Sequence, residues 1–146
     1  MMVEFELQYK NKFRINTAPD TEPGVLALLA AGITSVEPST NDEVDQTPYY
    51  DGEGYTTSTV TGGQLILSIS GHRVEGDPAQ DFIFSNMLKF GKNRETDFEW
   101  ERPNGEVISG DVTIANIEPG SGDANAKSEI SFEIHFNGAP VVTPAV

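Results

Sequence analysis

The sequence of 146 residues contains no cysteine, which excludes disulfides, thiolate metal sites and cysteine nucleophiles. Long apolar runs are missing as well. The longest, Val25 to Ala31, falls far short of the roughly 20 residues a membrane span requires, and it is too short for a secretory signal. The early basic residues Lys10, Lys12 and Arg14 are interleaved with apolar ones and do not form a signal n-region. A chain made and folded in the cytoplasm, without membrane contact, is the expectation. Histidine is scarce: His72 and His135 stand apart, without the spacing of a zinc motif such as H-E-x-x-H, so neither a metal nor a cofactor is expected. His135 falls on the polar face of a strand pattern and reads as solvated.

Positive charge is the other shortage. Nine Lys and Arg stand against 23 Asp and Glu, a formal net charge of -14. Between Ile15 and His72 there is no cation, while Asp20, Glu22, Glu37, Asp42, Glu43, Asp45, Asp51 and Glu53 all fall there. Such a chain does not coat DNA or an anionic membrane by neutralising phosphates. Acidity of this kind serves solubility. It also suits a surface that repels nucleic acid or meets a basic partner. Catalytic motifs are missing too. Gly62-Gly63 and Gly120-Ser121-Gly122 match no phosphate-binding fingerprint, and Asp51-Gly52-Glu53-Gly54 lacks calcium-loop spacing. Ser68 and Ser70 sit too close along one strand to His72 for triad geometry, and no nucleophile elbow is present. No enzymatic activity is expected.

What is present is strand patterning. With 37% hydrophobic residues, 14 Gly and 9 Pro, the composition is globular and loop-rich. Val3, Phe5, Leu7 and Tyr9 alternate with polar residues, predicting a half-buried strand, and Lys10, Lys12 and Arg14 continue one face of it, interrupted by Phe13 and Ile15. Val25 to Ile33 reads as a short buried helix or a covered strand, which periodicity cannot separate. From Glu37 to Thr61 the chain is a long polar, acidic excursion with turn chemistry at Asp51 to Gly54. Strands are predicted at Leu65 to Ser70, from Phe98, from Val107 or Ile108 through Ile117, and from Ile130 to Phe136, with a hairpin turn at Pro103-Asn104-Gly105. One helix is predicted from Asp77 to Phe90, capped by Asp77 and Gln80 as a capping box, with Pro78 at its first position and Gly91 as its stop. Phe82, Leu88 and Trp100 are expected in the core, and Ala139 to Val146 as a loose tail. The fold class is mainly β, a sandwich or barrel flanked by one helix.

The ordered motifs of the second half add a resemblance. Gly71-His72-Arg73-Val74-Glu75-Gly76-Asp77-Pro78-Ala79-Gln80-Asp81-Phe82 is similar to the helix start of the major tail tube proteins of long-tailed siphophages. Phe98-Glu99-Trp100-Glu101-Arg102-Pro103-Asn104-Gly105, the Gly120 to Asp123 loop, Ile130-Ser131-Phe132-Glu133 and Asn137-Gly138-Ala139-Pro140 resemble the same family in kind and order. The likeness spans roughly residues 33 to 146, and Met1 to Gly32 match least.

The resemblance implies a single tube domain over residues 1–146, a virion protein of the tail. Six copies would form a ring, and rings would stack around a continuous inner β-barrel that conducts phage DNA without binding it. Implied partners are further copies, the tape measure, the tail terminator and distal tail or baseplate proteins. The excursion at 37–61 would reach a neighbouring copy or ring through Asp42, Tyr49, Tyr50, Asp51, Glu53 and Tyr55. Glu43, Asp45, Glu129 and Glu133 are the expected acidic lining of the lumen. Two alternatives share some of these features: a secretion-system tube of the same fold, and a carbohydrate-binding sandwich using Tyr49, Tyr50 and Tyr55.

Overall fold

A computed structural model describes residues 4–145. Alternating apolar positions drive the strands in chain order: β1 (Lys12–Asn16), β2 (Leu26–Leu28), β3 (Ile33–Ser39), β4 (Glu43–Pro48), β5 (Thr56–Gly62), β6 (Ile66–His72), β7 (Glu95–Glu101), β8 (Val107–Ser121), β9 (Glu129–Phe136) and β10 (Val141–Thr143). The helix α1 (Pro78–Ser85) lies between β6 and β7. Eight strands form an antiparallel sheet in the order β2-β1-β7-β8-β9-β6-β3, with β10 also on β8, while β4 and β5 pair only with each other.

The sheet is sandwich-like because β8 serves both halves. Val107 to Thr113 pair with β7, and Val112 onward pairs with β9. The register shifts between Ala115 and Glu118, where Asn116 takes φ 52, a bulge that bends the strand. The inward positions of both halves then meet in one core. Phe98 of β7 meets Phe136 of β9 edge-on, with ring centroids 6.1 Å apart, and Phe13 of β1 lies 6.3 Å from Phe98. Leu67, Ile69, Val112, Ile114, Ile130, Phe132 and Ile134 complete it, all buried.

The helix joins this core. Ile83 and Phe84 are buried, and Phe84 meets Phe132 edge-on at 6.3 Å. Asp77 caps it as expected, accepting from the Gln80 backbone N–H at 3.2 Å. The second half of the capping box is absent, because the Gln80 side chain does other work. It is fully buried; its amide donates to the Ala31 and His72 carbonyls at 2.8 and 3.1 Å, and its oxygen accepts from Val74 N–H at 2.9 Å. Those segments also approach backbone to backbone. His72 N–H donates to the Gly32 carbonyl at 2.7 Å, and a Cβ on Gly71 would collide with that same carbonyl. Gly32 itself takes φ +76.

Several expectations need correction. Glu4 to Leu7 form no strand, and Gln8–Lys10 is a 3₁₀ turn; Phe5 is 98% and Tyr9 80% exposed, while Val3 lies outside the described residues. Alternation there has no partner strand among the described residues. Val25 to Ile33 resolves as β2, a turn and the start of β3, with Leu29 buried. The helix ends at Ser85 rather than Phe90, since the Ser85 hydroxyl and the Asn86 amide both bond the Phe82 carbonyl. Leu88 is therefore 81% exposed and lies outside the core, whereas Phe82 and Trp100 pack against it. The tail at 139–145 is not loose: β10 pairs with Val107 to Ser109. No helix of the described residues is long and apolar enough to cross a membrane.

Gln80→Ala should leave Val74 N–H and two carbonyls without partners and lower the unfolding free energy by about 2–4 kcal/mol, against about 1 kcal/mol for Asp77→Ala. Urea unfolding of the two variants checks the order; equal losses would mean that the Gln80 network adds nothing beyond the cap.

Candidate functional site

Two features stand outside the core: one outer sheet face and one projecting arm. The face belongs to β3, β6, β9 and the second half of β8. Because inward residues alternate with outward ones, the register fixes what lies side by side. One row across the sheet reads Glu37, Ser68, Glu133 and Ala115. The next reads Ser35, Ser70, Ser131 and Glu118. His72, Glu129 and Ser121 align at one end. No Lys or Arg occurs in these rows, so carboxylates and hydroxyls dominate the face, beside His72 and Ala115.

Its spacing limits self-repulsion. Neighbouring strands lie about 4.8 Å apart, so Glu37 and Glu133, with Ser68 between them, stand roughly 10 Å apart at the backbone, near the screening length of physiological salt. The carboxylates are also held. Glu133 accepts from the Asn116 amide at 2.9 Å and pairs with His135 Nε2 at 2.8 Å, and the Ser131 hydroxyl donates to Glu118 at 2.8 Å. The His135 contact, then the Asn116 bond, pulls the Glu133 carboxyl below its usual range. His135 thus has a carboxylate partner on this face and is not simply solvated.

The outer face of β1, β7 and the first half of β8 differs. There Lys12 and Arg14 lie opposite Glu101 and Glu99, and Arg14 reaches Glu101 at 3.4 Å. Asp97 lies directly opposite Asp111, whose carboxyl is raised by partial desolvation and by the Asp97 charge. Cations are therefore placed on one outer face and withheld from the other. The cation-free face also has open edges on both sides among the described residues. β3 pairs only with β6, and β8 beyond Thr113 pairs only with β9.

The arm prolongs β3 and β6. β4 follows β3 and β5 precedes β6, so the two pairs form one long hairpin whose outer part leaves the sheet near Thr40 and Gly63, where Gln64 N–H still bonds Thr40 at 2.9 Å. Six residues of β4 at about 3.3 Å each carry it roughly 20 Å outward. Both of its faces are exposed except at Thr47. Tyr49, Tyr50 and Tyr55 crown the tip, with Tyr50 fully exposed, around a 3₁₀ turn at Tyr50–Gly52 that Glu53 closes at φ 53. No ring pair among the described residues includes a tyrosine.

The residues singled out in sequence therefore separate. Glu129 and Glu133 share the cation-free face, whereas Glu43 and Asp45 lie on the arm with Asp42, Asp51 and Glu53. Thr47 donates to Asp45 at 2.7 Å. Of the 37–61 excursion, Glu37 to Ser39 belong to β3 and most of the rest is ordered hairpin. Sequence reading missed Glu37 and Glu118 as members of the face. The Ser/Glu alternation of β3 was visible, but Glu118 reaches the face only through the bulge at Asn116.

No protein-family model matches the chain, and no curated protein matches it. Solved structures do. The tail of an empty gene transfer agent particle, described with C6 symmetry, superposes with a TM-score of 0.72 at 16% identity, over 96% of this chain and 100% of that one. The virion of a native gene transfer agent particle gives 0.67 at 16% identity over the same shares. The cap of the anti-feeding prophage, a tube terminating cap, gives 0.61 at 14% identity, over 99% of this chain and 95% of that one. The chain has the fold of these tail proteins, as the resemblance implied.

Two titrations follow. A depressed carboxyl contributes stability above its unfolded value and loses it as pH falls through the folded one; the Glu133 carboxyl followed by NMR should titrate below the ordinary glutamate value, and His135→Ala should move it upward. Asp111 has the opposite sign, its contribution being present at low pH and lost as pH rises through its raised value. Asp111→Asn should stabilise at neutral pH by roughly 0.2–0.5 kcal/mol, the lower part of the range for facing like charges because the site is exposed. In urea unfolding that gain should vanish in acid; a gain independent of pH would contradict the pairing.

Proposed function

We propose that residues 1–146 act as one structural subunit of a phage-type tail tube, six copies forming a ring and stacked rings forming a conduit for DNA. The observation that carries this reading is the cation-free face of β3, β6, β9 and β8, bounded by two open strand edges. Open edges invite pairing with another chain, and closure into a barrel removes them altogether. Pairing β3 of one copy with the far half of β8 in the next would make this face the inner wall, bringing Glu37, Glu118, Glu129 and Glu133 to the lumen. The C6 symmetry of the gene transfer agent tail supports the copy number.

The chemistry suits transport of a polyanion. Each Lys or Arg that neutralised a phosphate would release counterions and create a sticking point. Carboxylates interleaved with serines repel the backbone and leave no such contacts. In this reading Glu43 and Asp45 belong to an assembly arm, not to the lining. The other partners implied are the tape measure, terminator and distal tail proteins, and the site of action is the virion. The likeness to a tube terminating cap favours a second reading, a terminal ring in place of the repeating one. The exposed tip tyrosines keep a glycan-binding reading testable, since loss of glycan retention on their substitution would support it.

Negative-stain microscopy of the purified protein across a concentration series, paired with light scattering, should give hollow tubes of uniform width. Isolated rings that never stack would favour the terminal role. In assembled tails, the combined Glu37→Gln, Glu118→Gln, Glu129→Gln and Glu133→Gln variant should slow DNA ejection. Unchanged ejection would remove these residues from the lining.

A further inference from the structure

The arm is acidic and aromatic, and a second exposed feature has the opposite charge. After α1 the chain turns through Asn86 to Phe90, where Leu88 and Phe90 are each 81% exposed and Lys89 lies between them. Lys92 follows at once and is exposed too. This presentation is held in place. The Arg94 guanidinium donates to the carbonyls of Asn86 at 3.0 Å, Lys89 at 2.9 Å and Met87 at 2.5 Å, and also to Ile114 of β8 at 3.0 Å. One buried-side arginine thus bolts the loop to the sheet while two large apolar side chains point outward. Beside it lies a depression of about 600 Å³ lined by Phe82, Asn86, Lys89 and Lys92, with Asp20 and Glu95 at its wall.

The charges on both features lack ion-pair partners among the described residues. Neither Lys89 nor Lys92 forms an ion pair among the described residues, and neither does any of Asp42, Glu43, Asp45, Asp51 or Glu53. Within one chain the arm does not cover the loop, since Tyr50, Leu88 and Phe90 all stay exposed. Three of the four tyrosines sit at the arm tip, and three of the nine cations lie within Lys89 to Arg94.

We propose that the arm tip of one copy, Tyr49 to Tyr55, docks on the Leu88 to Lys92 loop of a second copy and seats a tyrosine ring in the depression beside it. Leu88 and Phe90 supply the apolar contact, Lys89 and Lys92 meet Asp51 and Glu53, and a lysine beside the seated ring adds a cation–π contact. The contact is heterologous, joining different patches on the two copies, and repeats of it build rings or filaments. This deepens the tube reading by naming the surface that receives the arm.

The absence of cysteine makes the test clean. Tyr50→Cys and Leu88→Cys variants, both at exposed positions, are mixed and oxidised, and the doubly substituted chain is oxidised alone. The mixture should give a cross-linked heterodimer and the double variant a ladder. Lys89→Glu with Lys92→Glu should cut the cross-linking rate by about tenfold, and adding Asp51→Lys with Glu53→Lys should restore it. Tubes in the microscope without the ladder would overturn the docking and leave the tube reading intact. A ladder without tubes would do the reverse. Neither ladder nor assembly at any concentration would overturn both.

Discussion

The arrangement of this protein depends on one buried amide. Gln80 has no contact with water, and all its polar atoms are matched by backbone groups or by Arg73, whose guanidinium donates to its oxygen at 3.3 Å. A buried amide is costly unless fully paired, so the helix can dock in only one way on the turn at Ala31 and the end of β6. That position brings Phe84 onto Phe132 and closes the core between the two halves of the sheet. It also fixes β3 against β6 at Gly32 and Gly71, the end of that pair opposite the arm.

Charge is distributed with equal economy. Nine cations stand against 23 carboxylates, and the four arginines are placed where they hold structure or answer an acid. Arg73 pairs with Asp81 at 2.9 Å beneath the helix start, Arg94 fastens the loop after it, Arg14 answers Glu101 on the other half of the sheet, and Arg102 answers Glu6 and Glu106 next to it. The rows of Glu and Ser on β3, β6, β9 and β8 receive none. Net charge alone explains solubility. Its sorting between two outer faces of one sheet is a different matter, because solubility would be served equally by mixed faces.

Much of this was legible in the residues, and the failures have a common cause. The strands of the second half, the hairpin at Gly105 and the Asp77 cap follow from local chemistry, and all are present. Period-two alternation states that one face of a segment is apolar, but not which surface buries it. For Ile130 to Phe136 the surface is the chain's own core. For Phe5, Leu7 and Tyr9 the described residues offer none, and the same pattern gives an exposed segment. Sequence points Gln80 to its own helix cap because it shows the neighbour three residues away and not the carbonyl of Ala31, 49 residues away. Leu88 and Phe90 continue a helical stripe on paper; the side chains of Ser85, Asn86 and Arg94 take over the carbonyls that would continue the helix.

The arm sharpens the same point. A two-stranded ribbon alone in water is marginal, because neither face is buried and each outer edge is unpaired. Val44 lies opposite Val60, yet they are 49% and 61% exposed. Local propensity supports the ribbon, through threonines on β5 and a tight turn at its tip, but propensity of this size does not hold a projection of roughly 20 Å rigid. On the tube reading the arm, the loop of Leu88 and Phe90, and the open edges of β3 and β8 are unfinished for a single reason. On that reading each would be completed by another copy, the stable unit would be the assembly, and the fold of one chain is the part of it that local sequence can specify.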